Sequence, residues 1–576
     1  MIRSANSSKA RFPDRAPWWA IPRSATGYAR RRPGDRPDSR RPGGMKLRAL
    51  VICAHLRPGR VKRRSRFVMQ PISGLHFASL IERQRFEVDL YHEDWHGPFD
   101  TGRVGSYDLV FLTGLQPDFD RLRQLAYYFR RAGATVVAGG SICTLFPEFA
   151  TQFFDAVCAG GVDSVREVVE DFVRGWVKPI YHSPAKRISS YQIDYGLLAR
   201  SGINPAAHLL EASRGCSFQC TFCIIPAEAG THAAYDISAL SAAIDSALAT
   251  SPLLSFRRWY PIVLFLDNNF SDNRSHMLRV CELMRDHPRI RGWAALVTQN
   301  ILHDRPLIEK MASMKCIALF VGLESLDPEF LRRYNKKQNL SRHNVIDDIA
   351  FAESKGIGIS YGYLFDPRFH TAVEMENQIL KIMRTPLLPM PIYLSVVSPL
   401  AGTANFWAEL RAGHLAHNLR LRDLDGETIA YTDLADTPQA LVQFIERLFR
   451  RPWTVVGRWG VLLKTLRRIV ASRTLNPIRW YVIAGANLHC FVWSRASRSQ
   501  RRTYLAGEEV LDPQYFERPS DLSEEDKIRY FEPIALTGAD GQPARWLRHY
   551  ISEPGPQWQK APANPAAAHS LAGEQR

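Results

Sequence analysis

Three cysteines within eight residues tie down the middle of this chain. Cys216, Cys220 and Cys223 follow a C-x3-C-x2-C spacing inside the stretch Glu211–Cys223. A loop that short can bring its thiolates onto one face of a cubic iron–sulfur cluster. Three sulfurs serve three of the four irons and leave the last one open to a substrate or cofactor, as open positions do in other metal sites. Structural zinc is one competing reading, but it wants four ligands, usually as two pairs, and no second pair follows. Unrelated buried cysteines are the other; they are common singly and seldom cluster. Gly215 lets the chain turn sharply ahead of the first sulfur. The apolar run from His208 to Ala212 reads as a strand feeding the loop.

On both sides of the loop, strand and helix patterns alternate. Within 45–175, strands are predicted over 47–53, 87–91, 109–113, 134–138 and 156–158, with helices over 74–83, 119–131 and 165–174. That rhythm specifies a Rossmann-like, doubly wound parallel sheet, which binds ligands beyond the carboxyl ends of its strands. Small residues sit at those ends: Thr113 and Gly114, Gly139, Gly140 and Ser141, and Gly160 with Gly161. Residues 176–205 read as a linker. Within 206–405, strands follow the cysteine loop at 262–266, 293–297, 316–321, 358–365 and 392–397, which with the first strand make a partial (β/α)6, TIM-like barrel. Chemistry in such barrels sits at the carboxyl ends of the strands. There the sequence places Asp267, Asn268 and Asn269 after the second strand and Gly322, Glu324 and Ser325 after the fourth. Asp and Asn also favour plain turns. Lys336 and Lys337 read as a solvated pair, the alternative being that they face a carboxylate or a phosphate.

The cysteine loop and the order of elements after it resemble the radical S-adenosylmethionine (SAM) superfamily. The resemblance implies a [4Fe-4S] cluster on Cys216, Cys220 and Cys223, with SAM chelating the free iron and cleaved by one electron to a 5'-deoxyadenosyl radical. Phe222 matches the aromatic position beside the adenine. Asp267, Asn268 and Asn269 match the polar motif that meets the SAM amino group, and Gly322, Glu324 and Ser325 match the ribose- or methionine-contacting strand end. A Rossmann-like domain directly ahead of the core resembles the cobalamin-binding class. The resemblance implies cobalamin held between the two domains, against Thr113, Gly114, Gly139, Gly140, Ser141 and Gly160. It also implies a small-molecule substrate and an electron donor such as flavodoxin or ferredoxin. The chain departs from the Asp-x-His-x-x-Gly loop of other cobalamin modules: after the first strand it has His55 without the Asp and with Gly59 one place late. His96 follows a different strand, and neither histidine is assigned to cobalt.

Charge is placed at the ends. Of the formal +18, residues 1–44 carry +8 and residues 437–505 carry +12, which leaves the remainder at −2. A near-neutral catalytic core argues against a dedicated nucleic-acid enzyme. Residues 1–44 and 561–576 read as disordered tails. Residues 406–560 read as a mainly helical extension whose basic, aromatic-bearing helices either rest on an anionic membrane surface or pack on the core with a solvated basic face. The six cysteines outside the loop show no disulfide framework, which suits a cytoplasmic setting. The sequence reading is therefore a radical SAM enzyme, cobalamin-dependent and methylating an unactivated carbon of a small molecule of lipid or isoprenoid kind. Radical cyclisation or rearrangement, methylthiolation of RNA or protein, and a non-catalytic cluster protein are the competing readings.

Overall fold

The computed structural model describes residues 46–56, 72–183, 193–203, 205, 207–228, 232–250, 256–341, 343–491, 504–508 and 512–552. The two terminal tails lie outside this set.

The first sheet runs β1 (Leu47–Cys53), β2 (Phe86–His92), β3 (Leu109–Gly114), β4 (Thr135–Gly140), β5 (Ala156–Ala159) and β6 (Ile180–His182). All neighbours are parallel, in the order β2-β1-β3-β4-β5-β6. The order in which strands are added reverses between β1 and β3, and this switch point is where such sheets take ligands. β1 and β3 are apolar almost throughout because helices cover both faces. The sixth strand lies within the stretch read as a linker. It has three residues, too few to show a period of two.

The second sheet is built from β7 (His208–Leu210), β8 (Ile262–Phe265), β9 (Gly292–Thr298), β10 (Cys316–Glu324), β11 (Gly358–Phe365) and β12 (Tyr393–Val396). Its strands are parallel and stand in sequence order, each beside the next. Six strands in order with helices outside make the half-barrel expected from sequence. Trp293 is fully buried within it, and its indole nitrogen donates to the Met314 carbonyl at 2.7 Å.

The C-terminal extension is helical over Pro438–Arg450, Pro452–Val456, Arg458–Ala471 and Pro477–Phe491. Its last described stretch returns to the first sheet. Trp546 stacks on Phe149 at 4.0 Å between ring centroids. Fully buried Asp120 accepts from Arg123 at 2.7 Å and from Arg422 at 2.6 Å. Gln116 joins the first domain to the chain beyond the barrel's last strand. Its amide nitrogen donates to the Ala401 carbonyl at 2.8 Å, and its amide oxygen accepts from the Ala401 N–H at 2.9 Å.

Candidate active site

The cysteine loop leaves the carboxyl end of β7 and closes through a short antiparallel pairing of Ser213–Arg214 with Ala233–Ala234. Gly215 takes φ +85, the left-handed region that a side chain would strain. Cys216, Cys220 and Cys223 are all free thiols, with Cys220 buried and the other two half-buried. Burial pushes the Cys223 thiol up to about 12; the Cys220 and Cys216 sulfurs push the same way and Lys336 opposes them. The three sulfurs thus lie within one another's electrostatic reach. A cluster bound there would replace that desolvation cost with metal–thiolate bonds, so the donor set fits an iron–sulfur cluster.

The turn after β8 splints this loop. Asp267, with no exposed surface, accepts from the Ala212 N–H at 2.9 Å and the Ser213 hydroxyl at 2.5 Å. Burial raises its carboxyl to about 7 despite those donors. Asn268 accepts from the Gly215 N–H at 2.9 Å. The Asn269 amide donates to the Cys216 sulfur at 3.6 Å and to Asp272 at 3.0 Å. All three residues read from sequence therefore reach the cysteine loop. Their hydrogen bonds here go to the loop itself. On the other side, Gln338 donates to the Cys220 sulfur at 3.3 Å, and the Thr221 N–H donates to the Tyr334 carbonyl at 3.0 Å.

The end of β10 faces the same loop. Glu324 has φ +63, an unusual backbone for a residue with a side chain, and its carboxylate lies 2.7 Å from the Lys336 ammonium. A methyl group at Gly322 would stand 3.0 Å from that nitrogen and 3.1 Å from the Glu324 oxygen, so the ion pair packs closely over this glycine. Ser325 is buried and accepts from the Asp327 N–H at 3.1 Å. The Phe222 ring meets Tyr334 edge to face at 5.8 Å, and the Lys336 ammonium lies 5.8 Å from its centre.

Lys336 faces a carboxylate, the less favoured of the two sequence readings. Lys337 is exposed as expected, but Lys336 is 5% exposed. Burial acts to lower its pKa; Glu324 and the Cys220 and Cys223 sulfurs more than offset that, and it stays above its usual value. The helix Pro328–Arg333 turns the chain back toward the barrel, and nothing local to Lys336 announces that return.

The carboxyl edge of the first sheet meets the loop as well. The short helix Ser141–Leu145 packs against Ile225–Glu228, which begins two residues after Cys223. Thr113 is buried, and Ser141 accepts from the Gln116 amide at 3.1 Å. The glycines serve internal packing. An added methyl at Gly139 would stand 2.7 Å from the Phe77 ring, at Gly114 2.8 Å from Leu122, and at Gly140 (φ +109) 2.7 Å from the Gly114 carbonyl. At Gly160 (φ +89) it would stand 3.0 Å from the Ser183 carbonyl. Both nitrogens of His96 are engaged, one by the Ser201 carbonyl at 2.7 Å and the other by the His92 backbone. His55, just past β1 at the switch point, differs. Its Nδ1 lies 3.7 Å from Asp118, and its buried Nε2 has no partner among the described residues.

His92 beside it is buried with both ring nitrogens unpaired. Burial first, then neighbouring His55 and His96, lower its pKa to about 3. It folds neutral and must take a proton to match the unfolded chain at low pH. Its share of stability is complete above about 6.5 and is lost at ~1.4 kcal/mol per pH unit as pH falls toward about 3. Chemical denaturation at stepped pH should show this slope, and His92→Leu should flatten it.

These features define the class: a six-strand parallel half-barrel with a three-cysteine loop on its first strand, behind a doubly wound domain. Residues 210–363 match the Radical SAM superfamily, so this part of the chain is a radical SAM domain. Among curated relatives, the bacteriochlorophyllide d C-8(2)-methyltransferase of Chlorobaculum tepidum is 24% identical over 327 residues, 55% of this chain and 71% of that protein. The hopanoid C-2 methylase of Rhodopseudomonas palustris is 23% identical over 334 residues, 54% of this chain but 59% of that one, under two thirds of its length. The fold is shared with the cobalamin-dependent SAM radical enzyme OxsB in its aqua-cobalamin form, at a TM-score of 0.53 and 12% identity, over 74% of this chain and 72% of OxsB.

Proposed function

We propose that this chain is a cobalamin-dependent radical SAM methyltransferase acting on an unactivated carbon of a small molecule. The observation that carries the reading is the gathering of three free cysteines in one loop, splinted by Asn268 and Asn269 and followed by a helix packed on Ser141–Leu145 at the carboxyl edge of the first sheet. Bound there, the cluster would supply the electron that cleaves SAM to a 5'-deoxyadenosyl radical, and cobalamin the methyl group. Cys216, Cys220 and Cys223 would hold the cluster. Phe222, Asn268, Asn269, Gly322, Glu324 and Ser325 would line the SAM side, with Asp267 fixing the loop from beneath. Thr113, Gly114, Gly139, Gly140, Ser141 and Gly160 shape the facing edge. Location supports cobalamin there, as does the unpaired His55 nitrogen. Hopanoid and bacteriochlorophyllide d, which name the relatives' reactions, motivate a substrate of lipid or isoprenoid kind. A flavodoxin or ferredoxin would supply the electron.

Anaerobic reconstitution with iron, sulfide and hydroxocobalamin, then SAM and dithionite, tests the reading. We expect 5'-deoxyadenosine release and corrin absorbance that stays with the protein through gel filtration. Release without retained corrin would remove the methyltransferase assignment and leave a radical SAM enzyme of another kind. No release under any reductant would remove both.

A further inference from the structure

The helix Arg458–Ala471 is turned inside out. Lys464, Thr465 and Arg468 point inward and are each under 5% exposed. The Lys464 ammonium donates to the Ile382 carbonyl at 2.8 Å and to the Met383 carbonyl at 3.3 Å at the end of the helix Ala372–Arg384. Arg468 pairs with Glu353 in the last turn of Val345–Ser354. The opposite face carries Trp459 at 80% exposure, Leu463 and Leu466 at 57% each, and Val470 at 68%. Their spacing of four, three and four places them on one stripe about 17 Å long. Large side chains rarely line up in water without a partner. Leu475, just past the helix, is 89% exposed.

Exposed Arg458, Arg467 and Arg473 flank the stripe, and no Asp or Glu occurs between Arg447 and Gly507. A second copy of this chain would bring like charge against like. An anionic bilayer surface offers both partners, acyl chain for the stripe and headgroup phosphate for the guanidinium groups. No described helix is long and apolar enough to cross a membrane. We propose that this helix lies flat on an anionic membrane, with Trp459, Leu463, Leu466 and Val470 in the interfacial layer. The proposal stands independently of the reaction the enzyme performs.

The test is flotation of the full-length chain with vesicles of phosphatidylcholine alone or with about 30 mol % phosphatidylglycerol. The wild type should float with the anionic vesicles and weakly or not at all with the neutral ones. Leu463→Asn with Leu466→Asn should cut binding at least tenfold. Arg458→Gln, Arg467→Gln and Arg473→Gln together should remove the preference for anionic lipid. All five side chains face solvent, and an unchanged melting curve confirms folding. An independent readout needs only Trp459: its emission should shift to the blue on anionic vesicles, seen as the difference between wild type and Trp459→Phe. Wild type that ignores anionic vesicles, or binds them as well after the Leu substitutions, overturns the proposal. So does a dimer by light scattering that the Leu substitutions break, which would name a second copy as the occupant.

Discussion

A Cys220→Ala chain is expected to purify without iron and to lack absorbance near ~400 nm after reconstitution. Its release of 5'-deoxyadenosine should fall by at least ~1,000-fold, a barrier difference of roughly 4 kcal/mol or more. Cys220 is the most buried of the three and receives the Gln338 amide, so its sulfur has little freedom to be replaced by water. The control is Cys281→Ala. Cys281 lies fully buried in the helix Arg274–Asp286, outside the loop, and burial pushes its thiol up to about 12. It should keep iron, colour and activity while losing some stability to the small cavity. Cluster absorbance that survives Cys220→Ala would sink the ligand assignment. Loss in both variants would show that the readout reports folding rather than ligation.

The second large effect is thermodynamic. Asp120 joins Arg123 of its own helix to Arg422 of the extension, and all three side chains are buried. Asp120→Ala leaves the buried Arg123 guanidinium without a carboxylate and Arg422 with Asp512 alone, at a cost of roughly 3–5 kcal/mol. Urea denaturation should show it, together with earlier protease cleavage after residue 512 as the extension loosens from the first sheet. Adding Arg123→Met and Arg422→Met to Asp120→Leu should recover much of the loss, because the desolvation penalty disappears with the charges. Arg422 and Arg123 hold the Asp120 carboxyl below its ordinary 3.8 against the opposing effect of burial. The stabilisation is therefore complete above about 3.8 and is lost as pH falls through the lower folded value. An Asp120→Ala chain as stable as wild type would overturn this account.

Where a residue's role was set by its neighbours in sequence, it could be read in advance. The strands Leu47–Cys53 and Gly358–Phe365 fall where they were predicted, because unbroken apolar runs bounded by turns leave little choice. The cysteine loop is legible for the same reason. Lys336 is not: its burial depends on Glu324, twelve residues earlier, and on a chain reversal between them. The helix Arg458–Ala471 shows a different limit. Its spacing reveals two unlike faces but not which of them looks inward. The packed reading, which buries the apolar face, is the usual outcome. Here the carbonyls ending Ala372–Arg384 and the carboxylate of Glu353 call for cations, and the polar face turned in to meet them. The glycines after β3 and β4 suit the close approach of a ligand to the backbone, and Phe77 and Leu122, which pack beside Gly139 and Gly114, come from other elements that the strand pattern does not reveal.

The pair of hydrogen bonds between Gln116 and Ala401 has a kinetic consequence. A side-chain amide that both gives and takes behaves like a rung of backbone ladder, and it rivets the first domain to the rim of the half-barrel. The two domains are thereby held at a fixed spacing, so a ligand should reach the cysteine loop along the open flank of the half-barrel instead of waiting for the domains to swing apart.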